Sequence, residues 1–192
     1  SSGTCWSYST ISFLESEAIK NGAPADIDLA EMYPVWNGYS DKAVKFVRLD
    51  GKLNYEQGSS FGDVLYTLKH YGMVPQKEME GLNYGEPMNK HGELVGVLKG
   101  YVNAVIKNPN RKLSTAWHKG LNGILDAYLG ECPEKFVVDG KEYTPKTYAK
   151  DYLKLNADDY VSITSFTHEP FYSQFAIEVP DNWRWDLSYN LP

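Results

Sequence analysis

With 192 residues, 42% of them hydrophobic, the chain has material for one ordinary core or one and a half. A net charge of −6 and a pI near 5.2, with no dense cluster of lysine or arginine, exclude a row of nucleic-acid phosphates as the partner. No apolar run approaches the length that spans a membrane.

Taken in order, the chain opens on Ser1-Ser2-Gly3-Thr4-Cys5-Trp6-Ser7-Tyr8-Ser9. From Trp6 to Lys20 the apolar residues Trp6, Ile11, Phe13, Leu14, Ala18 and Ile19 recur at helical spacing, and Asn21-Gly22 supplies a stop. Cys5 is therefore placed at a helix N-terminus, where unpaired N–H groups and the helix dipole favour an anion and so a reactive thiolate. The competing reading is a buried structural cysteine; Gly3 before it, Trp6 after it and the helix start weigh against that.

Leu49-Asp50-Gly51-Lys52 and Asn54 to Ser60 are turn-rich, and Phe61, Val64, Leu65, Leu68 and Tyr71 then make the stripe of a helix ending at Gly72. Helical period returns from Gly92 to Lys107 and from Trp117 to Leu129. Phe136 to Tyr143 reads as a hairpin turning at Asp139-Gly140, and Thr144-Pro145 caps a short helix through Leu153. From Tyr160 to Pro192 the pattern is β-rich, which puts the domain boundary near Asn156 to Asp159.

Two cysteines, Cys5 and Cys132, read as free thiols, since pairing them would silence the nucleophile. Of the four histidines, His70 lies near a helix end, and His91 and His118 sit in polar surroundings and are expected at the surface. No metal-ligand spacing and no phosphate loop is present, so neither metal nor cofactor is expected. Aromatic residues at 14%, with 15 Tyr and 5 Trp, suit a groove for peptides or sugars and equally suit a tyrosine-covered surface.

Gly3-Thr4-Cys5-Trp6-Ser7-Tyr8-Ser9 resembles the nucleophile motif of the papain-like cysteine peptidases, and its Ser-Ser-Gly-x-Cys-Trp form resembles the bleomycin hydrolase and aminopeptidase C branch. Leu129-Gly130-Glu131-Cys132-Pro133-Glu134-Lys135-Phe136, Asp159 to Ser165 and Phe166 to Tyr172 resemble that branch as well, so the resemblance runs over essentially the whole chain. It implies an α+β papain-like two-lobe fold, with residues 1–156 as the helical lobe carrying helical insertions and 157–192 as the start of a β-rich lobe. Asp26 to Tyr33 resembles the segment that begins the second helix, with Asp28 a cap and Glu31 three residues on.

The resemblance also implies a site. Cys5 is the nucleophile, and Trp6, Gly58 and Ser59 are the substrate contacts. Gly58 fits one position of a glycine pair along which a substrate backbone lies as an added strand; its neighbours are Gln57 and Ser59, and the alternative is a loop glycine kept for a positive φ. The base is expected about 130–150 residues after the cysteine, and no histidine falls there. His168 with Asn182-Trp183 is one reading of the base and its orienting pair. In the other, family insertions push the histidine and asparagine past Pro192, and the oxyanion glutamine precedes Ser1.

The function expected is thiol-dependent peptide hydrolysis by an aminopeptidase, with peptides as substrates and a homo-oligomer, a hexamer by resemblance, assembled partly through Gly92 to Leu129. The 192-residue chain by itself is expected to be catalytically incomplete. An endopeptidase using the same thiol, and a non-catalytic binding or structural module, are the alternatives. The compartment stays open: cytoplasmic by resemblance, with export equally compatible.

Overall fold

A computed structural model describes residues 2–161, 163 and 170–173. Five long helices carry the fold: α1 (Cys5–Lys20), α2 (Met32–Arg48), α3 (Phe61–His70), α4 (Gly92–Ile106) and α5 (Trp117–Leu129). An antiparallel hairpin of β1 (Phe136–Val138) and β2 (Lys141–Tyr143) follows, then a short helical segment from Pro145 to Tyr152. The class is α+β with helix dominant. Most of the stretch expected to be β-rich, His168 and Asn182 included, lies outside the described residues.

Helix α1 forms as its spacing predicts. Ile11, Leu14 and Ala18 sink into the core while Cys5, Ser9, Ser12, Phe13 and Ser16 face outward. The Asn21 N–H closes the last turn on Glu17, and Gly22 takes φ +100° just beyond it. Two further bonds fix the helix: Ser7 Oγ donates to the Glu31 carbonyl at 2.6 Å, and the Leu29 N–H donates to Glu15 Oε1 at 2.9 Å.

Helix α2 is the centre of the packing, with α1, α3, α4 and α5 all against it. Twelve of its 17 residues are buried, among them Asn37, Ser40 and Lys42. Those polar residues interrupt the 3.6-residue apolar period, which is why the sequence shows little more than the start of this helix. Asp28 does not cap it. The Asp28 carbonyl accepts from the Gln76 N–H at 2.9 Å and the Ala30 N–H donates to the Val74 carbonyl at 3.0 Å, so residues 28–30 are committed to an extended pairing and the helix starts only at Met32.

Helices α4 and α5 spend their apolar stripes inside the chain's own core: Leu94, Leu98 and Val102 from one, Leu121, Leu125 and Leu129 from the other, are all fully buried. Between Gly92 and Leu129 the large apolar residues left exposed are Val97 and Leu113. In the hairpin, Asp139 and Gly140 both take positive φ, 50° and 76°, as the primed turn of an Asp-Gly pair requires. Thr144 then caps the next segment reciprocally with Thr147. Gly72 joins these parts. Its φ is +95°, and a Cβ there would sit 2.3 Å from the Pro145 carbonyl group, which accepts from the Met73 N–H.

Candidate functional site

Cys5 is the first residue of α1, and it is exposed. The first N–H groups of a helix have no intrahelical acceptor, and among the described residues no carbonyl accepts from the Cys5 N–H. The loop before it is fixed from below: Thr4 is fully buried, and its hydroxyl lies 2.6 Å from Ser2 Oγ.

A second loop, residues 57–59, is tied to this one through Gln57. The Gly3 N–H donates to Gln57 Oε1 at 2.7 Å, and the Trp6 indole N–H donates to the Gln57 carbonyl at 2.9 Å. The approach is close enough that a Cβ on Gly3 would lie 3.0 Å from Gln57 Cβ, which gives a physical reason for glycine two residues before the cysteine. Trp6 is itself buried, so its indole acts as a strut for the loop, with its ring in the wall of a small void that Gly58 and Ser59 also line.

Gly58 is exposed, its φ lies outside the left-handed region, and a Cβ built on it meets nothing within 4 Å. The need for a positive φ is therefore not what this glycine serves, and the space in front of it is open. Ser59 is half-buried, with a hydroxyl that finds no partner among the described residues. Beneath the loop runs Lys42 of α2, almost fully buried, with Nζ 3.5 Å from the Glu56 carbonyl and 3.4 Å from the Gly58 carbonyl. Burial pulls its ammonium down from 10.5 to about 8, against the opposing pull of the carboxylates of Asp63 and Glu56. Glu56 in turn forms an ion pair with Lys99 of α4.

The histidines within the described residues are all engaged elsewhere. His91, expected at the surface, is fully buried at the head of α4: Nδ1 lies 3.3 Å from the Tyr39 hydroxyl, and Nε2 has no partner among the described residues. Burial drives its pKa down to about 4, so it is neutral near neutral pH. His118 is half-buried, its Nε2 2.8 Å from Ser40 Oγ. That pair looks like a serine nucleophile with its base, but the Ser40 hydroxyl donates to Asn122 Oδ1 at 2.8 Å, so its proton is directed away from the ring. His70 packs against Tyr66 with the rings tilted and their centroids 4.1 Å apart. In the sequence His91 and His118 adjoin Lys90 and Lys119, which points to the surface, although Leu94, Val95 and Leu121 follow them at helical spacing.

Cys132 contrasts with Cys5. It is packed against the core, and burial first, then the nearby Asp126 carboxylate, push its thiol well above the ordinary range. Among the described residues no cluster of His, Cys, Asp and Glu could hold a metal ion, and no helix is long and apolar enough to cross a membrane.

These features define a class: an α+β fold in which an exposed thiol opens a long helix beside a loop presenting its backbone. No protein-family model matches the chain, and no curated protein matches it in sequence. Among solved structures it is similar to PepW from Lactobacillus rhamnosis, with a TM-score of 0.65 and 21% identity, over 93% of this chain and 48% of that one. The likeness shows the fold, and the chain spans about half the length of PepW.

Proposed function

We propose that this chain is the nucleophile-bearing part of a papain-like thiol peptidase, an aminopeptidase of the bleomycin hydrolase and aminopeptidase C kind, acting on peptide substrates. The observation that carries the reading is the exposed Cys5 at the head of α1, with loop 57–59 tied beside it through Gln57. A fold shared with PepW, whose name points to a peptidase, supports it.

In the reaction the Cys5 sulfur attacks the scissile carbonyl carbon while an imidazole takes the thiol proton. The negative charge that develops on the carbonyl oxygen meets the N–H of Cys5, which has no acceptor among the described residues. The imidazole then gives its proton to the leaving amine, the C–N bond breaks, and a thioester remains on Cys5. Water attacks that thioester with the same imidazole as base, releasing the carboxylic acid and restoring the thiol. His168 is one source of the imidazole; a histidine beyond Pro192 is the other. Gly58 and the backbone of Ser59 line the approach of the peptide. A second, β-rich lobe starting near residue 157 and a homo-oligomer joined partly through α4 and α5 belong to the same proposal.

The test is release of a fluorogenic amine from aminoacyl amides by the full-length protein, with Cys5→Ser and His168→Ala beside it. Cys5→Ser is expected to lower turnover by about 10³-fold or more. Turnover that survives Cys5→Ser would sink the reading. Equal hydrolysis of N-acetylated substrates would replace the aminopeptidase with an endopeptidase.

A further inference from the structure

The loop beside Cys5 rests on a charge that the reaction does not use. Lys42 is 2% exposed, and its ammonium contacts loop 56–59 only through backbone, at the Glu56 and Gly58 carbonyls. At 3.4–3.5 Å these are long charge–dipole contacts, strengthened by the low dielectric of a buried setting. The groups that face the ammonium are the carboxylate of Asp63 from α3, the carboxylate of Glu56 from the loop, and Lys99 from α4, which is itself paired to Glu56.

Across a trans peptide the carbonyl and the following N–H point in opposite directions, and no described peptide bond is cis. A Gly58 carbonyl turned inward to Lys42 therefore turns the Ser59 N–H outward. That N–H has no acceptor among the described residues, and the space before Gly58 is open. At the preceding peptide the Trp6 indole holds the Gln57 carbonyl, so two successive peptide planes are set by buried side chains on two different helices.

We propose that Lys42 is a positioning residue for substrate: by holding the Gly58 carbonyl inward it presents the Ser59 N–H as a donor to the backbone carbonyl of a bound peptide. The proposal rests on the peptidase reading for its ligand, whereas the orientation of the peptide plane stands apart from it. Buried lysine is costly, and an apolar residue would pack the same space with no such penalty. A buried ammonium set against two loop carbonyls fits an orienting role better than a stabilising one.

The experiment uses the full-length protein with Lys42→Met, which keeps the length of the stem and removes the charge, and Lys42→Arg, which restores it. Crystal structures give the Gly58–Ser59 plane, and hydrolysis of a peptide substrate gives KM and kcat separately. Lys42→Met is expected to rotate that plane and to raise KM about tenfold with kcat held, as loss of one well-oriented hydrogen bond would. Lys42→Arg should recover KM to within about twofold of the wild type. A plane left in place, or a KM unchanged in Lys42→Met, overturns the proposal, as does a fall in kcat and thermal stability with KM constant. If the wild type proves inactive, the peptidase reading fails and the plane alone decides the part played by Lys42. Should Lys42→Met not fold, the wild type still decides: KM should climb as pH rises through about 8, where the ammonium loses its proton, and a KM flat to higher pH would contradict the proposal.

Discussion

At the head of α1 polar groups are left open, while in the layer of α2, α4 and α5 the side chains of Ser40, His118 and Asn122 are used up on one another. Cys5 is exposed, and the N–H groups of Cys5 and Ser59 have no acceptor among the described residues. In the layer, Ser40, His118 and Asn122 close a hydrogen-bonded set, and His91 faces Tyr39 inside the core. Residue type alone would rank the layer as the better active site, since it holds a serine next to a histidine. What separates the two is whether the groups find partners: the N–H groups of Cys5 and Ser59 have no acceptor among the described residues, whereas Ser40, His118 and Asn122 bond to one another.

The closed character of the layer shows most strongly in the titration of His91. Above pH 6.5 His91 is neutral in both folded and unfolded chains; between 6.5 and about 4 only the unfolded chain takes up its proton. Stability should therefore fall as pH drops through that window, by on the order of a few kcal/mol from this group. Glu15, Glu31 and Asp41, whose burial raises their pKa values, act in the opposite sense, so the difference between wild type and His91→Gln isolates the ring. Urea denaturation at pH 7 and pH 4.5 reads it, and equal pH slopes in the two proteins would show that His91 is not buried as described.

A smaller effect is expected at the junction between the two loops. Gly3→Ala places a Cβ 3.0 Å from Gln57 Cβ, close to the loop backbone, so loop 57–59 must shift. The expected cost is about 1–2 kcal/mol in stability, together with a raised KM. A Gly3→Ala protein with wild-type KM would mean that the loop does not meet substrate.

The smallest effect belongs to the serine that resembles a nucleophile. Ser40→Ala removes one partner each from His118 and Asn122 and should cost about 1 kcal/mol of stability, with peptide hydrolysis unchanged. A large loss of turnover at unchanged stability would move the active site into the layer.

Much of this arrangement can be read from the residues. The period from Trp6 to Lys20, the stop at Asn21-Gly22, the stripes of α3, α4 and α5, the Asp-Gly hairpin and the Thr144-Pro145 cap all carry local signals, and each stands where those signals put it. Helix α2 does not announce itself, because its buried Asn37, Ser40 and Lys42 look like surface residues until the helices around it are in place. The misplacement of Asp28 has the same origin: its backbone answers to Gln76, a partner 48 positions away that no local cap rule sees. The histidines fail for a related reason, since the burial of His91 comes from Tyr39 and Tyr84, which pack on it from other segments. At the candidate site, the helix start at Cys5 is legible in the sequence, while Gln57 and Lys42, which hold the two loops, act through backbone contacts that leave no spacing pattern.

Limited iodoacetamide labelling of the folded full-length protein near neutral pH, mapped by mass spectrometry alongside residual peptidase activity, tests directly whether Cys5 is the reactive thiol and Cys132 the inert one. The expected result is modification of Cys5 with loss of activity in proportion, Cys132 staying unlabelled until the protein is unfolded; labelling of Cys132 first, or activity that persists once Cys5 is fully modified, would contradict it.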